Sequence, residues 1–391
     1  MKLTKCLLLL LMLLAIWGVA AAEAETVYVC SGGTGDGSSP EAALSSLSEA
    51  FAALPDGGRV IICGRVDVGG EALPATTGSV IITAEDAGVS YQGEGCGLYI
   101  AGILELNGEI TFEHMQIVAA EKNSLIICNG NRVVLGEGLS CTKDGSTNYI
   151  GVNGGSNLVK ASAAEAGTQS TDLTIMSGTW AQIRGGNRRQ VGGSATHRII
   201  KGDTKVTITG GEFTDLVFGG GQNSQEGDIL LSISGGTFRK GVYGVCRLGT
   251  NEFNGVHNGN VVINVTGGSF EANIGTVYMD SPATEVYGML TVHLSGAELG
   301  PAVVVTGSEL IPGSSHSVLR ADGTQYDAKS LYYRTFHSFV YTDGVPGEIR
   351  SLRIPEGDML VVRGAEYAFT GELTGEGEVL WSVDSEQSAV S

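Results

Sequence analysis

The side chains best equipped to hold a ligand fall in one run. Between Asp172 and Asp203 the chain carries Arg184, Arg188, Arg189, Arg198 and Lys201 with no acidic residue among them. Guanidinium groups grip carboxylate and sulfate oxygens two at a time. The run therefore reads as a site for the uronate or sulfate groups of an acidic glycan, with Arg184, Asn187, Arg188 and Arg189 as its contacts. The competing reading is that these charges neutralise neighbouring acids. Bond cleavage asks for more. Glycosidic hydrolysis takes one carboxylic acid to protonate the leaving oxygen and a second to attack or to activate water. With 42 acidic residues, chance pairs are unavoidable and mark no centre. The serine-hydrolase elbow Gly-x-Ser-x-Gly is absent. Gly33-Thr-Gly-Asp-Gly37 and Gly93-Glu-Gly-Cys-Gly97 lack the following unit that a phosphate cradle requires. The six histidines show no ligand spacing, and no Cys-x-x-Cys pair points to structural zinc.

The elements that position such residues follow from composition and pattern. The chain has 391 residues, 42% of them hydrophobic, which is enough for a sizeable core. Its 60 glycines are about 15% of the total, roughly twice the usual share, and follow no collagen-like period. The 23 basic against 42 acidic residues give −19, a charge that repels phosphate backbones and excludes nucleic acid as a partner.

Lys2 and Lys5 precede an apolar run from Leu7 to Ile16, and then small residues up to Ala24. This is the order of a secretory signal peptide over residues 1–24 with cleavage after Ala24. The run is short for a ~20-residue membrane span, so no span is expected in the mature chain. The mature protein would be secreted or displayed on a cell surface, with a charge of −20 once Lys2, Lys5 and Glu23 are removed. Six cysteines remain: Cys30, Cys63, Cys96, Cys128, Cys141 and Cys246. An even count in a secreted chain invites disulfides. Cys63 and Cys128, however, end apolar strands, where free thiols act as small hydrophobes, and mostly free thiols are expected.

Five segments align without gaps: Leu173–Trp180, Val206–Phe213, Leu231–Phe238, Ile263–Phe270 and Val292–Leu299. Each opens with period-two alternation, the mark of a strand with one buried face. A glycine or small-residue pair follows, and two residues later a large apolar residue. Trp180, Phe213, Phe238, Phe270 and Leu299 would then form one internal ladder in stacked coils about 4.8 Å apart. A propeller is the second choice, since each unit holds two or three short strands and not four. Shorter strands such as Arg59–Cys63, Ser79–Thr83 and Leu125–Cys128 carry the pattern less regularly through the first half. A helix is expected from Pro40 to Leu54, capped by Ser38 or Ser39 and covering the open end of the stack.

The stretch from Tyr28 to Ala43, this helix, and Gly57-Gly-Arg-Val-Ile-Ile62 resemble the opening of a right-handed parallel β-helix in secreted bacterial proteins of the pectin-lyase-like class. The resemblance implies an all-β fold: a right-handed parallel β-helix over residues 25–330, with a short N-terminal capping helix and a small C-terminal β segment. It does not fix function, because this fold carries lyases, hydrolases, esterases and adhesins. The Asn-Thr-Asp, Gly-His-Asp-type and Arg-Ile-Lys sets of the family's hydrolases are absent. No contiguous motif matches the acidic calcium cluster of its lyases. From about Leu331 aromatics cluster, and Val379-Leu-Trp-Ser-Val383 resembles a bacterial immunoglobulin-like domain. Residues 331–391 are thus expected to be a linker and an incomplete domain of that type, or else a small terminal cap.

Two functions remain open. The first is a non-enzymatic β-helix for adhesion, glycan binding or surface structure, needing no cofactor and partnered by an acidic polysaccharide or a cell-surface glycan. The alternative is a polysaccharide lyase or glycoside hydrolase acting on acidic glycans, for which a lyase would call on calcium.

Overall fold

The computed structural model describes residues 25–93, 95–156, 169–187, 199–222, 224–246 and 255–278, then short stretches, nearly all strands, out to residue 390. Residues 1–24, expected from the sequence to be a signal peptide, and Arg188, Arg189 and Arg198 lie outside the described residues. The chain is a parallel β-solenoid. An 11-stranded sheet runs from Thr26–Val29 through Gly58–Ile62 and Thr171–Ile175 to Phe339–Tyr341, with every neighbour parallel. A second face begins as a four-stranded sheet at Arg65–Val68 and continues as a five-stranded one from Thr179–Trp180 to Glu298–Leu299. The third face is a nine-stranded sheet from Glu71–Ala72 to Val305–Thr306. In the later coils a fourth, four-stranded face, beginning at Ile199–Lys201, intervenes before the chain returns to the first.

The repeat sets the register. Leu173, Val206, Leu231, Ile263 and Val292 stand opposite one another in successive coils, and all are buried. On the second face Trp180, Phe213, Phe238 and Phe270 are buried, as the alignment requires. Phe213 and Phe238 stack with centroids 4.8 Å apart, and Phe238 and Phe270 at 4.6 Å. The corner between these faces is turned by the second small residue of each pair. Gly178, Gly211, Gly236 and Gly268 have φ between +90° and +103°, a region that only glycine enters cheaply.

The N-terminal cap differs from the continuous helix expected over Pro40–Leu54. It is a 3-10 turn at Pro40–Ala42 and an α-helix at Leu47–Ala53. Leu44 between them is drawn into strand pairing: its N–H donates to Tyr28 O at 2.8 Å and its carbonyl accepts from Cys30 N at 3.1 Å. Ser39 caps the turn and Ser46 the helix, each accepting from a backbone N–H three residues on. Leu47, Ala50 and Phe51 are buried against the first coil. All six cysteines of the described chain are free thiols.

Beyond residue 347 the short strands again pair largely in parallel. Gly347–Ile349 pairs with Tyr367–Phe369, Leu352–Ile354 with Leu373–Gly375, and Met359–Arg363 with Glu378–Val383. Only Glu378–Val383 with Glu386–Val390 is antiparallel among these pairs. Among the described residues no helix is long and apolar enough to cross a membrane.

Candidate functional site

The third face presents one row to the core and one outward. Ile126, Val152, Ile183 and Val217 belong to the core cluster, so the alternating residues Leu125, Gly151 and Arg184 belong to the opposite side. A cleft of about 190 Å³ opens on that side. Leu125 and Gly151 contribute to its lining together with polar side chains from four successive coils: Asn123, Asn148, Tyr149, Gln182, Arg184 and Asp215. Its volume is below that of drug-sized pockets, so it suits a single ring or one substituent.

Arg184 is the sequence-predicted contact that the structure brings to this cleft. It is half-buried, between Asn153 and Phe218 in the register. One guanidinium nitrogen donates to Asn153 Oδ1 at 3.2 Å and the other to Gln182 Oε1. These two amides fix a head group that would otherwise sample many rotamers. Tyr149 is half-buried in the connection between Ser140–Lys143 and Gly151–Asn153. Lys143 Nζ lies 4.6 Å from its ring centroid, which steadies the ring by a cation–π contact. Asp215, exposed at the other edge, accepts from Leu216 N at 2.8 Å and is the only carboxylate among the lining residues.

Asn187 is placed differently. It is 5% exposed, and its Oδ1 accepts the backbone N–H of Ser156 at 2.5 Å while its carbonyl accepts from Gln222 N at 2.8 Å. The side chain bridges coils at a corner where backbones lie unusually close. A Cβ on Gly185 would fall 1.8 Å from Gly219 O, and one on Gly154 2.1 Å from Gly185 O. Arg184 and Asn187 thus flank this glycine stack, the first at the cleft and the second holding the corner. Residues 157–168, 188–198, 247–254 and 279–283, outside the described residues, each follow a strand of the third face.

Asn123, Asn148, Tyr149, Gln182 and Asp215 are cleft residues that sequence reasoning missed. They are spread over 93 positions and no local motif joins them; only the coil register does. No protein family, curated protein or solved structure matches the chain.

Proposed function

We propose that the protein is a secreted or cell-surface β-helix that binds an acidic glycan without cleaving it, at the cleft on its third face. The observation that carries this reading is the lining: an orientated guanidinium, a braced tyrosine and three amides around a space for one ring. Sugar rings present apolar faces that stack on aromatics, hydroxyls that pair with amides, and, in uronates, a carboxylate that suits arginine. One carboxylate among the lining residues is a poor basis for hydrolysis, which takes two, or for a lyase, which takes an acidic calcium cluster. Arg188 and Arg189 follow Arg184 by four and five residues in the sequence and add to the positive charge of this stretch. The pectin-lyase-like class is proposed for residues 25–330 on the stacked parallel sheets and the resemblance of the first coil. For residues 331–391 the predominantly parallel pairing favours additional short coils, closing the solenoid, over an immunoglobulin-like sandwich, whose neighbours are antiparallel.

The test is a binding screen of the purified protein against polyuronates, sulfated glycans and their neutral counterparts. Binding to the acidic members is expected to weaken as salt rises, because a half-exposed arginine is screened. Replacement Arg184→Ala should weaken it about tenfold or more, the worth of a charge-assisted pair. Tyr149→Ala should weaken binding to acidic and neutral sugars alike. Unchanged binding in both variants would move the site elsewhere, and release of shortened or unsaturated products would make the protein an enzyme.

A further inference from the structure

Cys30, Cys63 and Cys96 recur at 33-residue intervals, one per coil, at the corner that follows the first strands. The pairing Val29↔Ile62 ends one residue before Cys30 and Cys63, and Cys63 N donates to Val29 O at 3.1 Å. These two residues are therefore side by side in neighbouring coils. Parallel neighbours lie about 4.8 Å apart, inside the Cα separation of roughly 4.4–6.8 Å that a disulfide tolerates. Cys63 Sγ leans towards the preceding coil, 3.5 Å from Val29 O, and the Cys30 side chain is its hydrogen-bonding neighbour. Both are half-buried and within reach of a reagent.

Cys96 is stacked on the same corner but one residue out of step. Arg65 stands opposite Gly97, so Cys96 faces Gly64 rather than Cys63, and its Sγ points at Ile62 O, 3.4 Å away. Gly64 makes room for the pair: a Cβ there would lie 3.0 Å from Cys30 Cβ.

We propose that Cys30 and Cys63 are a disulfide-forming pair that staples the N-terminal cap to the first full coil, with Cys96 left as a free thiol. The oxidant is a small disulfide such as oxidised glutathione. One protein thiolate attacks it, forming a mixed disulfide and releasing one glutathione thiol. The second thiolate then attacks the protein-side sulfur and releases the other. Two protein thiols and one glutathione disulfide thus become one protein disulfide and two glutathione thiols. The closed loop contains the capping helix Leu47–Ala53 and the strand Gly58–Ile62, the elements that shield the open end of the solenoid. Burial, and then the neighbouring Cys30, push the Cys63 thiol up to about 11, so closure is slow at neutral pH and quickens as pH rises. The inference is independent of the glycan reading.

The full chain, reduced and then equilibrated in oxidised glutathione, is unfolded and alkylated without reductant. Labelled thiols are expected to fall from the seven in the sequence to five. Cleavage after both basic and acidic residues separates all three cysteines of the corner and Cys6, so mass spectrometry should find residues 60–65 joined to the peptide holding Cys30. Reductant should lower the melting midpoint of this oxidised protein by roughly 5 °C or more. Cys96→Ala should keep the bond. Cys63→Ala should lose both the bond and the sensitivity to reductant, and Cys30→Ala repeats that arm if Cys63→Ala does not fold. Seven labelled thiols under oxidising conditions, or a bond from Cys63 to Cys96, would overturn the proposal, and the first measurement needs no variant.

Discussion

The aromatic row on the second face shows what a single residue contributes to a solenoid. Phe238 has no exposed surface and stacks on two rings, Phe213 at 4.8 Å and Phe270 at 4.6 Å, tilted by 8° and 5°. Such parallel stacking follows from register: identical residues one coil apart are held at the spacing of the backbone itself. Trp180 extends the row because its indole N–H finds the Ser177 carbonyl at 2.8 Å, which removes the cost of burying a donor. Phe238→Ala removes the middle ring, and neighbours fixed by strand hydrogen bonds cannot close the gap. The expected loss is about 3–5 kcal/mol in urea unfolding. A loss below about 1 kcal/mol would mean that the row is not packed as described.

At the scale of elements, the corners decide how closely coils approach, and glycine decides the corners. Gly185 sits where a methyl group would meet Gly219 O at 1.8 Å and Val206 Cγ2 at 2.6 Å. The first of these is backbone and cannot rotate away. Gly185→Ala is therefore expected to destabilise by about 1–3 kcal/mol or more. Gly69→Ala is the control, since nothing lies within 4 Å of its would-be Cβ, and it should be neutral or slightly stabilising. Equal unfolding midpoints for the two variants would count against the close corner. Much of this was legible in the sequence. The gap-free alignment from Leu173 to Leu299 is the register of the first and second faces, because period-two burial and a corner glycine leave the coil no other phase. The helix was over-extended because Leu44 has a helical face in the sequence but a strand partner, Val29, in space. The corner motif Gly202-Asp203, Gly227-Asp228, Gly259-Asn260 was not recognised, although Asp203 accepts from Asp228 N at 2.8 Å and Asp228 from Asn260 N at 2.7 Å. Of the cleft only Arg184 was legible. A charged residue stands out locally, whereas Tyr149 and Asp215 become neighbours only once coils stack.

Among the described residues the buried side chains are mostly apolar, and two of the eight polar exceptions, Gln225 and His257, belong to the fourth face. Gln225 and His257 stand opposite each other there, both buried, and Gln225 donates to Gly202 O at 3.1 Å. His257 has no exposed surface, and burial pushes its pKa from 6.5 down to about 4, with the nearby Asp228 opposing only in part. The imidazole is thus neutral in the folded chain, while in the unfolded chain it takes up a proton below about pH 6.5. The unfolded state then binds more protons than the native state between those two values. Stability contributed by keeping this histidine neutral is complete above pH 6.5, declines as pH falls, and is gone near pH 4, a total on the order of 3 kcal/mol. Carboxylates titrate chiefly below pH 5, so the interval from 6.5 to 5 is that of imidazoles, and comparison with a variant at this one position singles out His257 among the six histidines. His257→Gln, which repeats the neighbouring Gln225, should flatten the urea midpoint across that interval, whereas the parent midpoint should fall with each step towards acid. If parent and variant fall in parallel, the acid sensitivity of the solenoid belongs to its carboxylates and His257 is already protonated in the folded chain.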